Sequence, residues 1–263
     1  MKILIAGDSF AEVGVVHPEY SWSYLLEKHT GWNIENIGLG GTSLEWTFKK
    51  LLNIKKTKSF SSYDKIIIFI TNQSRCYIPG NLKVIIKNKI NENFVVDINA
   101  YTASYDNVLY WLDFIEDKNS KEYKALFAAK LYYEHLYDPD TSSIRHKHMI
   151  YEIINSIPFG KLILIPCFET YNIIPSELNK TNFILYNVSL REHDHLPNEF
   201  KKTADFFRSY SEQPIHRNHL TMNNKAVLVQ HLLNLISQGS SDITYNDFSY
   251  MSIDDFHQNF CKK

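Results

Sequence analysis

Four short polar segments of this sequence carry residue types that could do chemistry. They are "GDS" with Ser9, "GLGGTS" with Gly41, "TNQSR" with Asn72 and "HRNHL" with His219. The first three follow predicted strands, and the fourth precedes the last predicted helix. Because open α/β sheets bind ligands outside the carboxyl ends of their strands, we expect the four segments to meet at one edge of a sheet.

Taken singly, each segment has a simpler structural interpretation. Gly-Asp-Ser is a common turn, because glycine adopts unusual backbone angles and Asp and Ser cap helices. Asn72 alone is explained as a loop cap, and His219 as a residue near a helix start. "GLGGTS" does not fit the dinucleotide fingerprint G-x-G-x-x-G, which needs glycine in place of Ser43 and follows the first strand of its fold. The sequence also has no G-K-[ST] segment for a phosphate-binding loop.

Apolar, β-branched runs alternate with helix-period segments, which is the pattern of a parallel sheet covered by helices. The predicted strands are 2–7, 32–38, 65–71, 161–167 and 182–188. The third and fourth are near-continuous apolar runs, as expected for central strands. The sequence therefore predicts the α/β class: a three-layer α/β/α sandwich with a mostly parallel five-stranded sheet, flavodoxin-like in type.

The length of 263 residues favours one domain over the whole chain, 1–263. Helical periodicity from about 104 to 157 predicts a helical insertion near 100–157, which we interpret as a cap over the site. A last helix is predicted from the stripe Ala226, Val229, Leu233 and Ile236. A polar C-terminal tail begins at about residue 239.

In this order, the four segments resemble the motif blocks of the SGNH hydrolases, also called GDSL esterases or lipases. "GDSF" matches the first block, "NIGLGG" the N-x-G-x-x-G form of the second, "ITNQ" the G-x-N-D third block and "HRNHL" the D-x-x-H fifth block. The resemblance spans roughly residues 7 to 219, although no motif covers the stretch around 100–157. It implies the fold of that family and an ester-cleaving activity.

The resemblance also implies a role for each matched position. Ser9 would be the nucleophile and His219 its general base, since a serine hydroxyl is inert near neutral pH without one. The backbone N–H groups of Ser9 and Gly41 and the side-chain amide of Asn72 would form the oxyanion hole. Gly40 replaces Gly41 in this role if the turn is shifted by one residue.

The sequence departs from the family pattern in two blocks. Ile70 and Gln73 stand where the third block has Gly and Asp, and His216 stands where the fifth block has the Asp that orients the histidine. A wrong imidazole tautomer costs on the order of 10⁴ in rate. The group that orients His219 is then a backbone carbonyl or a carboxylate such as Glu192 or Asp194, and the sequence does not choose among them.

Other polar residues near these segments are candidate substrate-binding residues: Asp8, Gly40, Arg75 and His216. Arg75 suits an anionic or hydroxylated substrate group, or equally a surface salt bridge. His216 has the alternative interpretation of a solvated loop histidine.

The histidine-rich segments predict no metal site. "HKH" (146–148) falls on a predicted helix, where residues i and i+2 do not share a face, and "HDH" (193–195) falls in a polar loop. We expect neither a metal nor another cofactor.

Composition limits the partners. A net charge of -1 gives no field that would gather nucleic acid or an anionic membrane. Cys76, Cys167 and Cys261 are far apart and odd in number, which indicates reduced thiols. The sequence shows no signal peptide and no run of roughly 18 apolar residues. We therefore expect a cytoplasmic protein with a small-molecule or carbohydrate ester as substrate, and the oligomeric state stays open.

These observations favour a serine esterase that forms an acyl-enzyme on Ser9 and removes O-acetyl or short acyl groups from a carbohydrate or small polar ester. Three alternatives remain open at this stage: an acyltransferase, a catalytically impaired binding or structural module with His216 in the acid position, and a flavodoxin-like nucleotide-binding protein.

Overall fold

The computed structural model of this chain describes residues 1–11, 21–78, 83–87, 93–97, 102–113, 115, 117–168, 179–180, 220 and 222–248. The strands are β1 (Lys2–Ala6), β2 (Asn33–Asn36), β3 (Lys65–Ile70), β4 (Lys83–Lys87), β5 (Asn93–Asp97), β6 (Leu162–Pro166) and β7 (Asn179–Lys180). The helices are α1 (Trp22–Thr30), α2 (Leu44–Thr57), α3 (Tyr105–Leu112), α4 (Lys121–His135), α5 (Pro139–Ser156) and α6 (Met222–Gln238).

The main sheet has five strands in the order β2-β1-β3-β6-β7, and all four neighbouring pairs are parallel. The predicted five-stranded parallel sheet is confirmed, and four of its strands lie where the sequence placed them. The fifth strand of the sheet is the two-residue β7. The predicted strand 182–188 lies outside the described residues.

Apolar residues alternate between the two faces of the sheet, as the twofold period of a strand requires. Ile3 and Ile5 of β1 belong to the cluster covered by α1 and α6, whereas Leu4 and Ala6 belong to the cluster covered by α2 and α5. Both clusters consist largely of side chains with almost no exposure. The three-layer α/β/α prediction is therefore confirmed.

Side-chain caps fix where the first five helices begin. A Ser or Asp oxygen accepts a hydrogen bond from a backbone N–H of the first turn in each of them, at Ser21, Ser43, Ser104, Ser120 and Asp138. Such a cap satisfies one of the N–H groups that a helix start leaves unpaired. The cap at Ser43 joins the "GLGGTS" segment to the start of α2.

The chain reverses its direction of travel across the sheet between β1 and β3. After β1 it forms β2 on one side, and it then returns to form β3 on the other side of β1. In open α/β sheets a crevice for ligands opens at such a switch point, outside the carboxyl ends of the two strands. The segments after β1 and β3 are those that contain Ser9 and Asn72.

The predicted helical stretch between the third and fourth main strands is present as α3, α4 and α5. The predicted break at "DPDTSS" is shorter than expected, because Asp138 caps α5 and Pro139 occupies its first turn, where a missing N–H does no harm. Sequence reasoning did not foresee the antiparallel pair of β4 and β5, whose register joins Lys83 to Asp97 and Lys87 to Asn93.

The start of the polar C-terminal tail packs on the core. Phe248 is buried in the same apolar cluster as α1 and α6, and Ile243 packs against that cluster. The described part of the tail is therefore packed against this cluster through Phe248 and Ile243.

Two histidines lie inside the helical layers. His146 on α5 and His231 on α6 are buried, and burial lowers the pKa of each to about 4 from an ordinary value of 6.5. The charged imidazolium is disfavoured in the folded chain, because it is removed from water there. Between pH 6.5 and 4 the unfolded chain therefore binds more protons than the folded chain, and stability falls as the pH falls.

We expect His231→Gln to flatten this pH dependence. Each histidine that stays neutral in the fold contributes up to about 3 kcal/mol to the loss of stability between pH 6.5 and 4. The variant should therefore lose about 1–3 kcal/mol less than the wild type over that range, measured by urea denaturation at each pH. His148→Gln, which changes an exposed histidine on α5, is the control and should keep the wild-type slope. Equal slopes for His231→Gln and the wild type would contradict the prediction.

Candidate active site

The turn after β1 presents Ser9 at the surface. The Ala11 N–H donates to the Asp8 carbonyl oxygen at 2.9 Å, which closes a tight turn over residues 8–11. Asp8 and Phe10 are buried on either side, whereas Ser9 is partly exposed. The Trp22 indole N–H donates to the Phe10 carbonyl at 2.8 Å and ties the turn to α1. Ser9 is therefore accessible while its two neighbours are fixed.

Gly7 is required at the start of this turn. Its φ of 146° lies in a region that L side chains rarely adopt. A Cβ at this position would lie 2.5 Å from the Cβ of Phe69 and 2.9 Å from the Phe69 carbonyl oxygen on β3. The absence of a side chain thus allows the end of β1 to lie directly against β3.

The Asp8 carboxylate collects hydrogen bonds from two segments. Its Oδ1 accepts from the Phe10 N–H at 3.1 Å, and its Oδ2 accepts from the Thr71 hydroxyl at 2.7 Å. Oδ2 also accepts from the Arg75 guanidinium at 3.3 Å, in an ion pair whose Asp8 side chain has no exposure. A buried carboxylate is tolerated because its charge is paired and both of its oxygens are hydrogen-bonded.

The second turn is held against the first. The Leu39 N–H donates to the Gly7 carbonyl at 3.1 Å. The Asn36 side chain donates to the Ala11 carbonyl at 2.6 Å and accepts from the Gly38 N–H at 2.8 Å. The motif asparagine thus ties the end of β2 to the Ser9 turn.

Gly41 is the glycine of this segment with a left-handed backbone conformation, with a φ of 76°. Glycine adopts this conformation without the steric cost of a Cβ. Gly40 does not have a positive φ. The backbone therefore distinguishes the two glycines that the sequence left as alternatives and favours Gly41 as the constrained position.

The third turn fixes the orientation of the Asn72 side chain. Its Oδ1 accepts from the Ser74 N–H at 2.8 Å, and its backbone oxygen accepts from the Arg75 N–H at 3.1 Å. With Oδ1 engaged, Nδ2 is the Asn72 side-chain atom that can donate to a ligand.

A second set of contacts joins the same two segments on the outside of the site. The Glu45 carboxylate, in the first turn of α2, accepts from the Tyr77 N–H at 2.7 Å. Its other oxygen lies 3.2 Å from the Arg145 guanidinium of α5. The second turn, the third turn and the helical insertion are thereby connected through one carboxylate.

The structure brings together three of the four predicted segments. Asp8 precedes Ser9, Thr42 follows Gly41, and Thr71 precedes Asn72. Arg75 Nη1 donates both to Asp8 Oδ2 and to the Thr42 carbonyl, each at 3.3 Å, and Thr71 donates to the same Asp8 oxygen. The chain neighbours of all three predicted oxyanion donors therefore meet around one ion pair.

The fourth segment lies outside the described residues. This applies to His219 and His216, and also to the two carboxylates proposed to orient the base, Glu192 and Asp194. Leu220, the residue after His219, is described: it is buried and belongs to the same apolar cluster as Phe10, the residue after Ser9.

Sequence reasoning assigned Asp8 and Arg75 to substrate binding, and the structure places both in internal contacts. Arg75 forms a salt bridge, but its partner is the buried Asp8 and not a surface carboxylate. The missed residues are Thr71, Thr42 and Glu45, which are ordinary turn and helix residues in the sequence. The one feature of the sequence that points to these residues is that they lie next to, or close to, motif positions along the chain.

Within the described ranges, no group of three or more His, Cys, Asp or Glu residues is arranged to hold a metal ion. The helices of this part of the chain are all too short or too polar to cross a membrane. Cys76 and Cys167 are free, buried thiols, and burial raises the pKa of each.

No protein-family model matches the sequence, and no curated protein matches it. Solved structures with a similar arrangement include the esterase EstA from Pseudoalteromonas sp., with 9% identity, coverage of 90% of this chain and 97% of that chain, and a TM-score of 0.43. A second is a lipase/acylhydrolase from Enterococcus faecalis, with 12% identity, coverage of 92% and 98%, and a TM-score of 0.37.

A third similar structure, from Desulfitobacterium hafniense, is described as lipolytic and of the G-D-S-L family. It shows 15% identity, coverage of 82% of this chain and 83% of that chain, and a TM-score of 0.30. Because the TM-scores lie below 0.5 and the identities below 25%, the likeness assigns neither an activity nor a substrate to this chain.

Gly7→Ala should destabilise the fold strongly. The new Cβ would overlap Phe69, and the backbone conformation costs an L residue about 1–3 kcal/mol before that overlap is relieved. We expect a loss of at least about 2 kcal/mol in the free energy of unfolding, measured by urea denaturation. Gly160→Ala is the matched control, since a Cβ there meets no atom within 4 Å, and it should change stability by less than about 0.5 kcal/mol. Similar losses for both variants would show that Gly7 is not constrained in this way.

Proposed function

We propose that this chain is a serine esterase of the SGNH type, which removes O-acetyl or short acyl groups from a carbohydrate or another small polar ester. The observation that carries the proposal is the meeting of the Ser9, Gly41 and Asn72 turns around the buried Asp8–Arg75 pair. A partly exposed serine on a fixed turn, beside two further turns that can donate hydrogen bonds, is the arrangement that acyl transfer needs.

In the proposed reaction, the Ser9 Oγ attacks the ester carbonyl carbon while its proton passes to the His219 imidazole. The carbonyl oxygen becomes an oxyanion and accepts hydrogen bonds from the N–H groups of Ser9 and Gly41 and from Asn72 Nδ2. The tetrahedral intermediate expels the alcohol, which takes the proton from His219. The product of this acylation step is an acyl-enzyme in which the acyl group is bound to Ser9 by an ester bond.

Water completes the cycle by attacking the acyl carbon, and His219 takes the proton of the water and returns it to the Ser9 oxygen. Should another alcohol take the place of water, the same intermediate yields acyl transfer.

A binding or structural module is the second candidate function. The observation that favours it is His216 in the position of the family's aspartate. Such a module would keep the turns and the buried ion pair but would lack a reactive serine.

A fluorophosphonate probe should distinguish the two candidates. We expect it to label the wild type at Ser9 and to leave Ser9→Ala unlabelled, with the labelled residue identified by mass spectrometry. Hydrolysis of p-nitrophenyl acetate should fall by at least about 10³-fold in Ser9→Ala and in His219→Ala, since the base and the nucleophile act as a unit. Ser62→Ala, which changes an exposed serine near the amino end of β3, should keep both labelling and hydrolysis.

Folded wild-type protein that resists the probe and hydrolyses no acyl ester faster than Ser9→Ala would overturn the esterase proposal and favour the module. If the wild type is active, the variant His216→Asp tests whether another group already orients His219. A large gain in turnover would show that the orienting acid is missing, whereas no gain would show that another group already holds His219.

Asn72→Asp should lower kcat by about 10²- to 10³-fold, the usual cost of losing one oxyanion donor. This change keeps the shape of the side chain and an oxygen that accepts from the Ser74 N–H, but it replaces the Nδ2 donor with an acceptor. KM should stay close to that of the wild type, because the lost hydrogen bond forms mainly in the transition state. A kcat within about twofold of wild type in steady-state assays would remove Asn72 from the oxyanion hole.

A further inference from the structure

Arg75 lies where the three turns meet. We propose that Arg75 is the positioning residue of this site: its guanidinium fixes the Ser9, Gly41 and Asn72 turns relative to one another and does not bind the substrate. This inference rests on the proposed esterase function and deepens it, since it names the residue that holds the oxyanion donors in register.

Three hydrogen bonds of Arg75 end on a proposed donor residue or on its chain neighbour. Nη1 donates to the carboxylate of Asp8, which precedes Ser9, and to the carbonyl of Thr42, which follows Gly41. The Arg75 backbone N–H donates to the Asn72 carbonyl. The guanidinium therefore ties the Ser9 and Gly41 turns to the turn that carries Asn72, and its loss would leave the Asn72 turn without these two links.

The charge of Arg75 is already neutralised inside the protein. The side chain is 17% exposed, and the partner Asp8 carboxylate is fully buried. The guanidinium carbon lies 5.5 Å from the centre of the Phe168 ring, which therefore lies against the guanidinium. Little of the group is left to meet an anionic ligand.

Phe168 extends the same support to the other side of the nucleophile. Its ring packs edge-to-face with Phe10 at 5.9 Å between centroids. Ser9 thus lies between Asp8, which is bound by Arg75, and Phe10, which packs on the ring that Arg75 contacts. Arg75 therefore contacts one neighbour of the nucleophile directly and the other through the Phe168 ring.

Arginine suits this position better than lysine. A planar guanidinium offers several N–H donors in fixed directions and an apolar face, so it can bind a carboxylate and a carbonyl and lie against a ring at the same time. Lysine keeps the charge but offers a compact ammonium group on a flexible stem. Arg75→Lys should therefore recover part, and not all, of what Arg75→Met loses.

The test compares kcat and KM for a neutral ester, p-nitrophenyl acetate, and an anionic ester, p-nitrophenyl succinate. We expect Arg75→Met to lower kcat by about 10- to 100-fold on both esters, because small misplacements of catalytic groups cost this much. KM should stay within about threefold of wild type on both esters. Arg75→Lys should give an intermediate kcat.

Two further variants guard against a trivial loss of folding. Thr71→Val removes only the hydroxyl that donates to Asp8 Oδ2, and it should lower kcat in the same direction with a smaller change. Lys161→Met is the matched control: Lys161 also ties segments together through carbonyls, those of Ser61 and Tyr63, but at the amino edge of the sheet. It should lower thermal stability and leave kcat unchanged when all variants are assayed below their unfolding temperatures.

The outcomes separate this inference from the proposed function. Wild-type kcat in both Arg75→Lys and Thr71→Val would overturn the positioning role. A rise in KM confined to p-nitrophenyl succinate would overturn it too, because it would show that Arg75 binds the substrate. A wild-type protein that neither hydrolyses these esters nor reacts with a fluorophosphonate would overturn the esterase proposal, and the positioning role with it.

Discussion

The buried charge of Asp8 is the constraint on which the rest of the site depends. A carboxylate without exposure costs several kcal/mol unless it is paired and hydrogen-bonded. Its partners are the Phe10 N–H in its own turn, and Thr71 and Arg75 in the turn after β3. The charge is satisfied only when the ends of β1 and β3 lie side by side with both turns formed. The packing of β1 against β3 and the geometry of the two turns are therefore coupled through Asp8. A change that disturbs the packing should also disturb the site, and the reverse.

The three residues of the Gly-Asp-Ser segment have three different structural roles. Gly7 removes a side chain where β1 meets Phe69 and adopts a backbone conformation that L residues avoid. Asp8 turns inward and binds the neighbouring segment, while Ser9 alone faces outward. Alternation of inward and outward residues at the end of a buried strand leaves Ser9 partly exposed between two buried neighbours. A segment that is weak as an isolated pattern becomes specific once these roles are considered together.

The hydrophobic pattern was sufficient to predict the central strands of the sheet. The strands 65–71 and 161–167 were predicted because their apolar residues run almost without interruption, which only burial on both faces explains. The pair of β4 and β5 was missed, because periodicity alone does not separate a short apolar run such as "KVIIK" or "NFVVD" from other buried segments. The contacts of Arg75 could not be predicted either: an arginine beside a motif is compatible with a substrate, a surface carboxylate or a buried partner. Only the three-dimensional arrangement shows that Asp8 is the partner.

The departures from the family pattern in the third segment are consistent with how the turn is built. Ile70 is buried in the cluster beneath α2 and α5, so it serves the core and not the site. The Gln73 carbonyl accepts from the Ser142 hydroxyl at 2.8 Å, which anchors the turn to α5. Asn72 is oriented by backbone groups, the N–H of Ser74 and its own carbonyl with Arg75, and none of these contacts uses the Gln73 side chain. The contacts that orient the Asn72 amide therefore do not require an aspartate at position 73. By the same argument, the helical insertion acts as a support for this turn, since Ser142 and Arg145 both come from α5.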